Sequence, residues 1–112
     1  MSKSTENETD IYERPVGYDW DTAKDIAKRK KFGFGFNLVI GLFYKPYYQE
    51  NNEGYGGQSI VIGLADNGKM VTAACEERED PDNPEGEKIM WMATFWLSTK
   101  SEVDTYEKDG FK

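Results

Sequence analysis

The side chains in this sequence that could do chemistry are lysines, arginines and carboxylates, because the chain contains no histidine. That absence excludes Ser–His–Asp and Cys–His nucleophilic sites, imidazole-ligated zinc and histidine proton shuttles. The densest basic run is Lys28-Arg29-Lys30-Lys31, with Lys24 one helical turn before it. Four successive helical residues spread around the helix axis, so this run is more typical of a solvated surface than of a focused phosphate site.

The densest acidic stretch covers residues 76–87 and contains seven carboxylates against one arginine, Arg78. Carboxylate oxygens bind calcium, but an EF-hand loop counted from Asp80 needs glycine at its sixth position, where this chain has Glu85. We therefore expect neither a metal site nor a cofactor. The segment is predicted to be a solvated loop or a negative patch that binds a basic partner. The residues assigned to that patch are Glu76, Glu79, Asp80, Asp82 and Glu85.

Trp91 and Trp96 lie in the most hydrophobic stretch of the chain, residues 88–97. Alternate residues of a strand share a face, which puts Trp91 with Phe95 on one face and Trp96 on the other. Both faces are apolar, so the strand is either central and covered on both sides or exposes one aromatic face. Core packing is the simpler interpretation, whereas an exposed aromatic face would be typical of a protein interface.

The first elements that must position these side chains are a strand and two helices. Val16, Tyr18 and Trp20 predict a short strand, and Asp21 is a suitable N-cap for a helix over residues 22–31. The spacing of the next apolar residues predicts a second helix, followed by a polar connection. That helix contains Phe36, Val39, Ile40 and Phe43 and ends at Pro46, and the connection covers residues 46–57.

Three strand-like runs and a final helix follow. The runs are residues 58–64, 69–75 and 88–97, and Asp66-Asn67-Gly68 between the first two is a strong hairpin signal. Thr99 and Glu102 form a capping box that opens a helix reaching about Lys108. The predicted class is therefore α+β, with a short N-terminal strand, two helices, a three-stranded antiparallel meander and a C-terminal helix.

Length and composition indicate an acidic globular protein. The 112 residues include 14 lysines and arginines against 21 acidic residues, a net charge of −7 that disfavours nucleic-acid binding. We expect a flexible polar leader at residues 1–14 and a single domain over residues 15–112. The one cysteine allows no internal disulfide, and no apolar run is long enough to cross a bilayer. These features predict a cytoplasmic protein with no membrane partner.

Several short motifs occur in a characteristic order along the chain. They are Trp20-Asp21-Thr22-Ala23-Lys24, then Lys31, Gly33 and Phe36, then Phe43, Pro46, Ile62-Gly63 and Gly68, then Glu77-Arg78, and last Thr99-Lys100, Glu102 and Tyr106-Glu107. Together they resemble the BrnT family of ribonuclease toxins over residues 16–108. The resemblance implies a compact fold related to the RelE-like ribonucleases and a partner antitoxin. It also implies RNA chemistry that rests on basic side chains and a histidine.

The sequence departs from that family at the positions that carry the chemistry. Phe32 stands where the family has its histidine, and Trp91 and Trp96 stand where it usually has arginine. Val103 and Asp104 occur in a C-terminal helix that is commonly basic. RNA cleavage through the 2′-hydroxyl needs a proton acceptor, a proton donor and cations that stabilise the transition state. The departures therefore disfavour ribonuclease activity.

Two functional hypotheses follow from the residues and the resemblance. The first is a catalytically degenerate BrnT-like domain that acts as an acidic protein-binding module or an inhibitor. Its partner would be a basic, nucleic-acid-handling protein, such as an antitoxin-like regulator or a defence protein blocked by a phage-encoded inhibitor. Trp91 and Trp96, together with the acidic patch, would bind it. The alternative is an active ribonuclease toxin of a toxin–antitoxin pair that acts on RNA through Lys31, Arg78 and Glu77.

Overall fold

The computed structural model describes residues 17–52, 58–82, 85–86 and 88–109. The predicted leader at residues 1–14 and the carboxylate of Glu87 lie outside the described residues. The strands are β1 (Tyr18–Trp20), β2 (Tyr48–Asn52), β3 (Gln58–Leu64), β4 (Met70–Arg78) and β5 (Ile89–Leu97). The helices are α1 (Thr22–Phe32), α2 (Phe36–Val39), which continues as a 3-10 helix at Ile40–Tyr44, and α3 (Lys100–Asp109).

The strands form one mixed sheet in the order β1-β5-β4-β3-β2. β1 runs parallel to β5, and the other neighbours are antiparallel. The α+β class is confirmed. β3, β4 and β5 are consecutive antiparallel neighbours, but the sheet is larger than the predicted three-stranded meander, because β1 and β2 extend it at its two edges. β1 and β2 lie at opposite edges of the sheet, and residues 21–47, which contain α1 and α2, connect these two edges.

β2 was predicted to be part of the polar connection at residues 46–57. Its sequence, Tyr-Gln-Glu-Asn-Asn, has no apolar alternation and carries residues that are rare in strands. The strand forms because it pairs with β3 over five residues at the edge of the sheet. Gln49 and Asn51 also share a hydrogen-bond network with Ser59 of β3, which replaces apolar packing on that side of the strand.

α1 begins and ends as the sequence predicts, within one residue. The Asp21 carboxylate accepts hydrogen bonds from the backbone N–H groups of Ala23 and Lys24, at 2.8 and 3.3 Å. Gly33 ends the helix with φ of 86°, a left-handed conformation that glycine adopts without steric cost. These local signals are sufficient because both ends of the helix are capped by residues close in sequence.

The second helix is shorter in α-helical form than its apolar spacing predicts. After Val39 the chain tightens into a 3-10 helix, in which residues three apart share a face. The fully buried apolar side chains of this segment are accordingly Phe36, Val39 and Leu42. Ile40 and Phe43, which the 3.6-residue period placed on the apolar face, are only half-buried. Because the helix type changes, Leu42 is fully buried in the core, whereas Ile40 and Phe43 are not.

A β-bulge in β5 determines which of its side chains share a face. Ala74 pairs with Thr94 and Cys75 pairs with Met92, so Ala93 is an extra residue without a partner in β4. Met92 and Phe95 are consequently both fully buried on the same face, although three positions separate them. The strict alternation predicted for residues 88–97 is wrong at this point.

Two layers of helix cover the sheet. The main core lies on the face that contacts α1 and α2, which we call the α1 face. Its buried residues include Phe36, Val61, Val71, Ala73, Cys75, Met92 and Phe95. α3 packs on the opposite face, the α3 face, where Glu102 contacts Thr72 and Trp96. No helix in the described part of the chain combines the length and apolar character needed to cross a membrane.

Candidate functional site

The three residues Glu76, Glu77 and Arg78 belong to β4, whereas they were predicted to open an acidic loop. They pair with Trp91, Met90 and Ile89 of β5. The strand continues past Cys75 because β5 extends far enough to complete the backbone hydrogen bonds. The acidic turn therefore begins at Glu79, and Glu76 and Arg78 have fixed places on the sheet.

Trp91 is covered on one side by an arginine. The guanidinium carbon of Arg78 lies 4.5 Å from the centre of the Trp91 ring, within the range of a cation–π interaction. Arg78 also donates from Nε to Glu76 at 2.9 Å, and Gln58 of β3 donates to the other oxygen of Glu76 at 3.1 Å. The hydrogen bonds from Arg78 and then Gln58 lower the pKa of Glu76. This chain of contacts keeps Trp91 half-buried.

Trp96 is held by the capping residue of α3. Its indole N–H donates to both carboxylate oxygens of Glu102, at 3.1 Å each. The same carboxylate accepts from the hydroxyl of Thr72 at 3.0 Å and from the Thr99 backbone N–H at 2.8 Å, while Glu102 N–H donates to the Thr99 hydroxyl. The predicted capping box is confirmed. It fixes one carboxylate against one indole on the α3 face.

The bulge at Ala93 brings the two tryptophans to the same face of the sheet. Trp91, Thr94 and Trp96 all lie on the α3 face, since Met92 and Phe95 point into the core. Their β4 partners on that face are Glu76, Ala74 and Thr72. Strict alternation had separated the tryptophans. The structure shows both side chains half-buried, so neither is a fully buried core residue.

The acidic turn that follows β4 is open to solvent. Glu79, Asp82 and Glu85 are exposed, and Asp80 is half-buried and accepts the backbone N–H of Asp82 at 2.9 Å. No ion pair among the described residues neutralises these carboxylates. The described residues also contain no group of three or more potential metal ligands. We call the surface formed by Glu76, Glu79, Asp80, Asp82, Glu85 and Trp91 the acidic end.

The residues of the ribonuclease alternative lie apart. Lys31 belongs to α1 and its Nζ lies 5.3 Å from the Phe32 ring, on the α1 face of the sheet. Arg78 lies on the α3 face against Trp91. Glu77, the neighbour of Arg78, alternates to the other face of β4 and is exposed. No hydrogen bond or ion pair between described residues joins any two of the three.

Sequence reasoning missed a row of lysines along α1. Lys24, Lys28 and Lys31 share a helix face, and Lys28 Nζ lies 5.4 Å from the Phe32 ring and 5.5 Å from the Phe95 ring. Burial, then the charges of Lys31 and Lys24, lowers the pKa of Lys28. The signal was the i, i+4, i+7 spacing, which the four consecutive basic residues obscured.

Lys24 has a separate structural role. Its Nζ donates to the carbonyl oxygen of Ala93 at 2.8 Å. Ala93 is the bulge residue of β5. Lys24 therefore ties α1 to the irregular point of β5, and its ammonium group is engaged by the fold.

Comparisons with known proteins do not assign a family. No protein-family model matches the sequence, and no curated protein matches it significantly.

Proposed function

We propose that this protein is a non-catalytic binding protein that inhibits or regulates a basic, nucleic-acid-handling protein through its acidic end. The observation that carries the proposal is the juxtaposition of a half-buried tryptophan with the exposed carboxylates of the acidic turn. Trp91 lies on the α3 face at the end of the sheet from which the turn carrying Glu79, Asp82 and Glu85 projects. An aromatic side chain beside charged groups is typical of an interface anchor with a polar rim.

The charge of the chain supports a basic partner. The net charge is −7, and a field of that sign accelerates encounter with a positively charged surface while repelling nucleic acid. Exposed carboxylates can occupy the phosphate sites of a nucleic-acid-binding protein because both groups accept hydrogen bonds from arginine and lysine. A phage-encoded inhibitor of a restriction or CRISPR system is the most specific form of this proposal, and an antitoxin-like regulator is a second possible partner.

The positions of the residues that a ribonuclease would need also support a non-catalytic role. Lys31 and Arg78 lie on opposite faces of the sheet, and Arg78 is already paired with Glu76. Phe32, at the position where the BrnT family has histidine, packs 5.5 Å from Phe95 and contributes to the core. Phosphoryl chemistry requires cations and proton carriers in one place, so this arrangement favours binding over cleavage.

The experiment that tests the proposal is affinity capture of the tagged protein from a lysate of its native host. We expect a stoichiometric basic protein that moderate salt releases, because exposed charges are screened within about 8 Å at physiological ionic strength. The variant Glu79→Lys/Asp82→Lys should lose this protein. The control Asp104→Lys/Glu107→Lys changes the charge equally on the exposed side of α3 and should retain it. Equal capture by both variants would contradict the proposal.

A ribonuclease toxin remains the second candidate function, and the lysine row of α1 is the observation that favours it. Lys28 and Lys31 of this row lie over aromatic rings, and their two cations could hold an RNA phosphate. The test is incubation of the purified protein with total RNA. Cleavage that disappears in Lys31→Ala/Arg78→Ala would support the ribonuclease function and overturn the non-catalytic proposal. Intact RNA, together with no RNA affinity at physiological salt, would exclude the ribonuclease function.

A further inference from the structure

A cleft of about 200 Å³ lies between α3 and the outer strands of the sheet. Ile60 and Ile62 of β3 form its apolar side, and Trp96 of β5 contributes an indole. Two carboxylates from different elements also line it, Glu50 of β2 and Glu102 of α3. The sequence alone does not single out Glu50, because the polar composition of β2 predicts a connection and not a strand.

The sheet register explains why these side chains converge. Glu50 pairs with Ile60, and Ile60 pairs with Ala74, so these residues form one row across the α3 face. Ile62 pairs with Thr72, which pairs with Trp96, and this forms the adjacent row. α3 lies over both rows and adds Glu102. The cleft is therefore built on regular structure, which holds its lining groups in place.

The electrostatics of the cleft favour a cation. No lysine or arginine of the described residues lines it, while two carboxylates do. Glu102 is fixed by its hydrogen bonds to Thr72, Trp96 and Thr99, and Glu50 accepts the Tyr48 hydroxyl at 2.7 Å. The N-terminus of α3 contributes roughly half a positive charge, which is less than either carboxylate. An anion would be repelled by the two carboxylates, and an indole in the lining can also attract a cation.

The volume restricts the size of the ligand. Sites for drug-sized molecules usually measure about 300–1,000 Å³, so a cleft of about 200 Å³ fits one extended side chain and not a nucleotide or a large cofactor. Apolar walls formed by two isoleucines suit the methylene groups of such a chain, and the carboxylates suit its charged end.

We propose that this cleft is a binding site for an alkylguanidinium or alkylammonium group, the chemistry of an arginine or lysine side chain or of a free small amine. The site is distinct from the acidic end, and its ligand class follows from Glu50, Trp96 and Glu102 alone. The proposal for the cleft does not depend on whether the acidic end binds a protein.

The test uses the full chain, with butylguanidinium as the cation and butylurea as its neutral isostere. The reporter is the Trp96 indole N–H in a two-dimensional ¹H–¹⁵N NMR titration, with the indoles of Trp20 and Trp91 as internal references. We expect a saturable shift of the Trp96 resonance with butylguanidinium, with a dissociation constant on the order of 1 mM. Butylurea should produce no such shift.

A pair of conservative variants provides the second readout. Glu50→Gln keeps the size of an exposed side chain and should weaken butylguanidinium binding about fivefold, as expected for one partly exposed ion pair. Glu107→Gln on the exposed side of α3 should leave binding unchanged. An unshifted Trp96 resonance, an equal shift with butylurea, or unaltered affinity in Glu50→Gln would overturn the proposal.

Two peptides distinguish the sources of the cation. A short peptide with a central arginine should bind more tightly than butylguanidinium if the natural ligand is a side chain of a protein, and the same peptide with citrulline should not bind. Tighter binding of the free cation would assign the site to a small amine. The capture experiment varies Glu79 and Asp82, whereas the titration of the cleft varies Glu50. A negative result in one experiment therefore does not affect the interpretation of the other.

Discussion

At the scale of single residues, Asp25 shows how one buried charge connects two elements. Its carboxylate accepts the Nε of Arg29 and the backbone N–H of Phe36, both at 2.8 Å. Burial raises the pKa of Asp25, but the bonds from Arg29 and Phe36 and the charge of Arg29 outweigh it, so the pKa is lowered from its ordinary 3.8. Asp25 thus fixes the first turn of α2 against α1.

We expect Asp25→Ala to destabilise the protein by about 2 kcal/mol at pH 7, because it leaves a buried N–H group without an acceptor. The control is Asp104→Ala on the exposed side of α3, which should lower the free energy of unfolding by less than about 0.5 kcal/mol. Urea unfolding measures both. A loss for Asp25→Ala no larger than that of the control would contradict the assigned role.

The same residue predicts a pH dependence. A lowered pKa in the folded state means that the stabilisation is fully present above pH 3.8 and is lost as the pH falls through the folded-state pKa. The difference in unfolding free energy between wild type and Asp25→Ala should therefore be constant from pH 5 to 7 and shrink below about pH 3.8. Unfolding curves across this range test the prediction, and a difference that grows toward acid pH would contradict it.

Cys75 gives a second prediction at this scale. Burial, then the charge of Glu76, raises the pKa of the Cys75 thiol to about 11, and the side chain is fully buried. The reactive thiolate is therefore scarce and inaccessible in the folded protein. We expect Ellman's reagent at pH 8 to label the protein only after a denaturant unfolds it. Rapid labelling of the native protein would contradict the burial of Cys75.

At the scale of elements, the attachment of α3 depends on Glu102. The carboxylate caps the helix and also holds Thr72 and Trp96 of the sheet. Glu102→Ala should cost about 2 kcal/mol and change the environment of the Trp96 indole, whereas Glu107→Ala should have little effect. Thermal unfolding and the indole NMR resonance measure these effects. An unchanged Trp96 resonance in Glu102→Ala would contradict the contact.

Local signals in the sequence predicted the elements whose ends are determined by neighbouring residues. Asp21 capped α1, Gly68 formed the β3–β4 turn with φ of 82°, and Thr99 opened α3. In each case the controlling hydrogen bond or backbone angle lies within a few positions of the element end, so composition and spacing were sufficient.

Features that depend on pairing between distant segments were not predicted. β2 has a polar sequence and exists through its pairing with β3, and the bulge at Ala93 exists through the register between β4 and β5. The candidate site depended on that register, because the bulge alone brings Trp91 and Trp96 to one face. Propensity and period contain no information about such register shifts.

At the scale of the whole molecule, charge and shape divide the surface into distinct regions. The lysine row lies on α1, the acidic end lies where β4 meets β5, and the cleft with Glu50 and Glu102 lies under α3. Glu76 and Trp91 of the acidic end share the α3 face of the sheet with the cleft, while the lysine row lies on the other side. The two faces therefore suit ligands of opposite charge.

The most direct measurement is the dissociation constant of the captured basic protein, determined by calorimetry for wild type and Trp91→Ala at low and high salt. We expect stoichiometric binding that weakens as salt rises, and a loss of about thirtyfold in Trp91→Ala, as for a central aromatic anchor worth about 2 kcal/mol. Circular dichroism of Trp91→Ala checks that the fold is retained. Affinity that is independent of both salt and Trp91 would show that the partner does not bind at the acidic end.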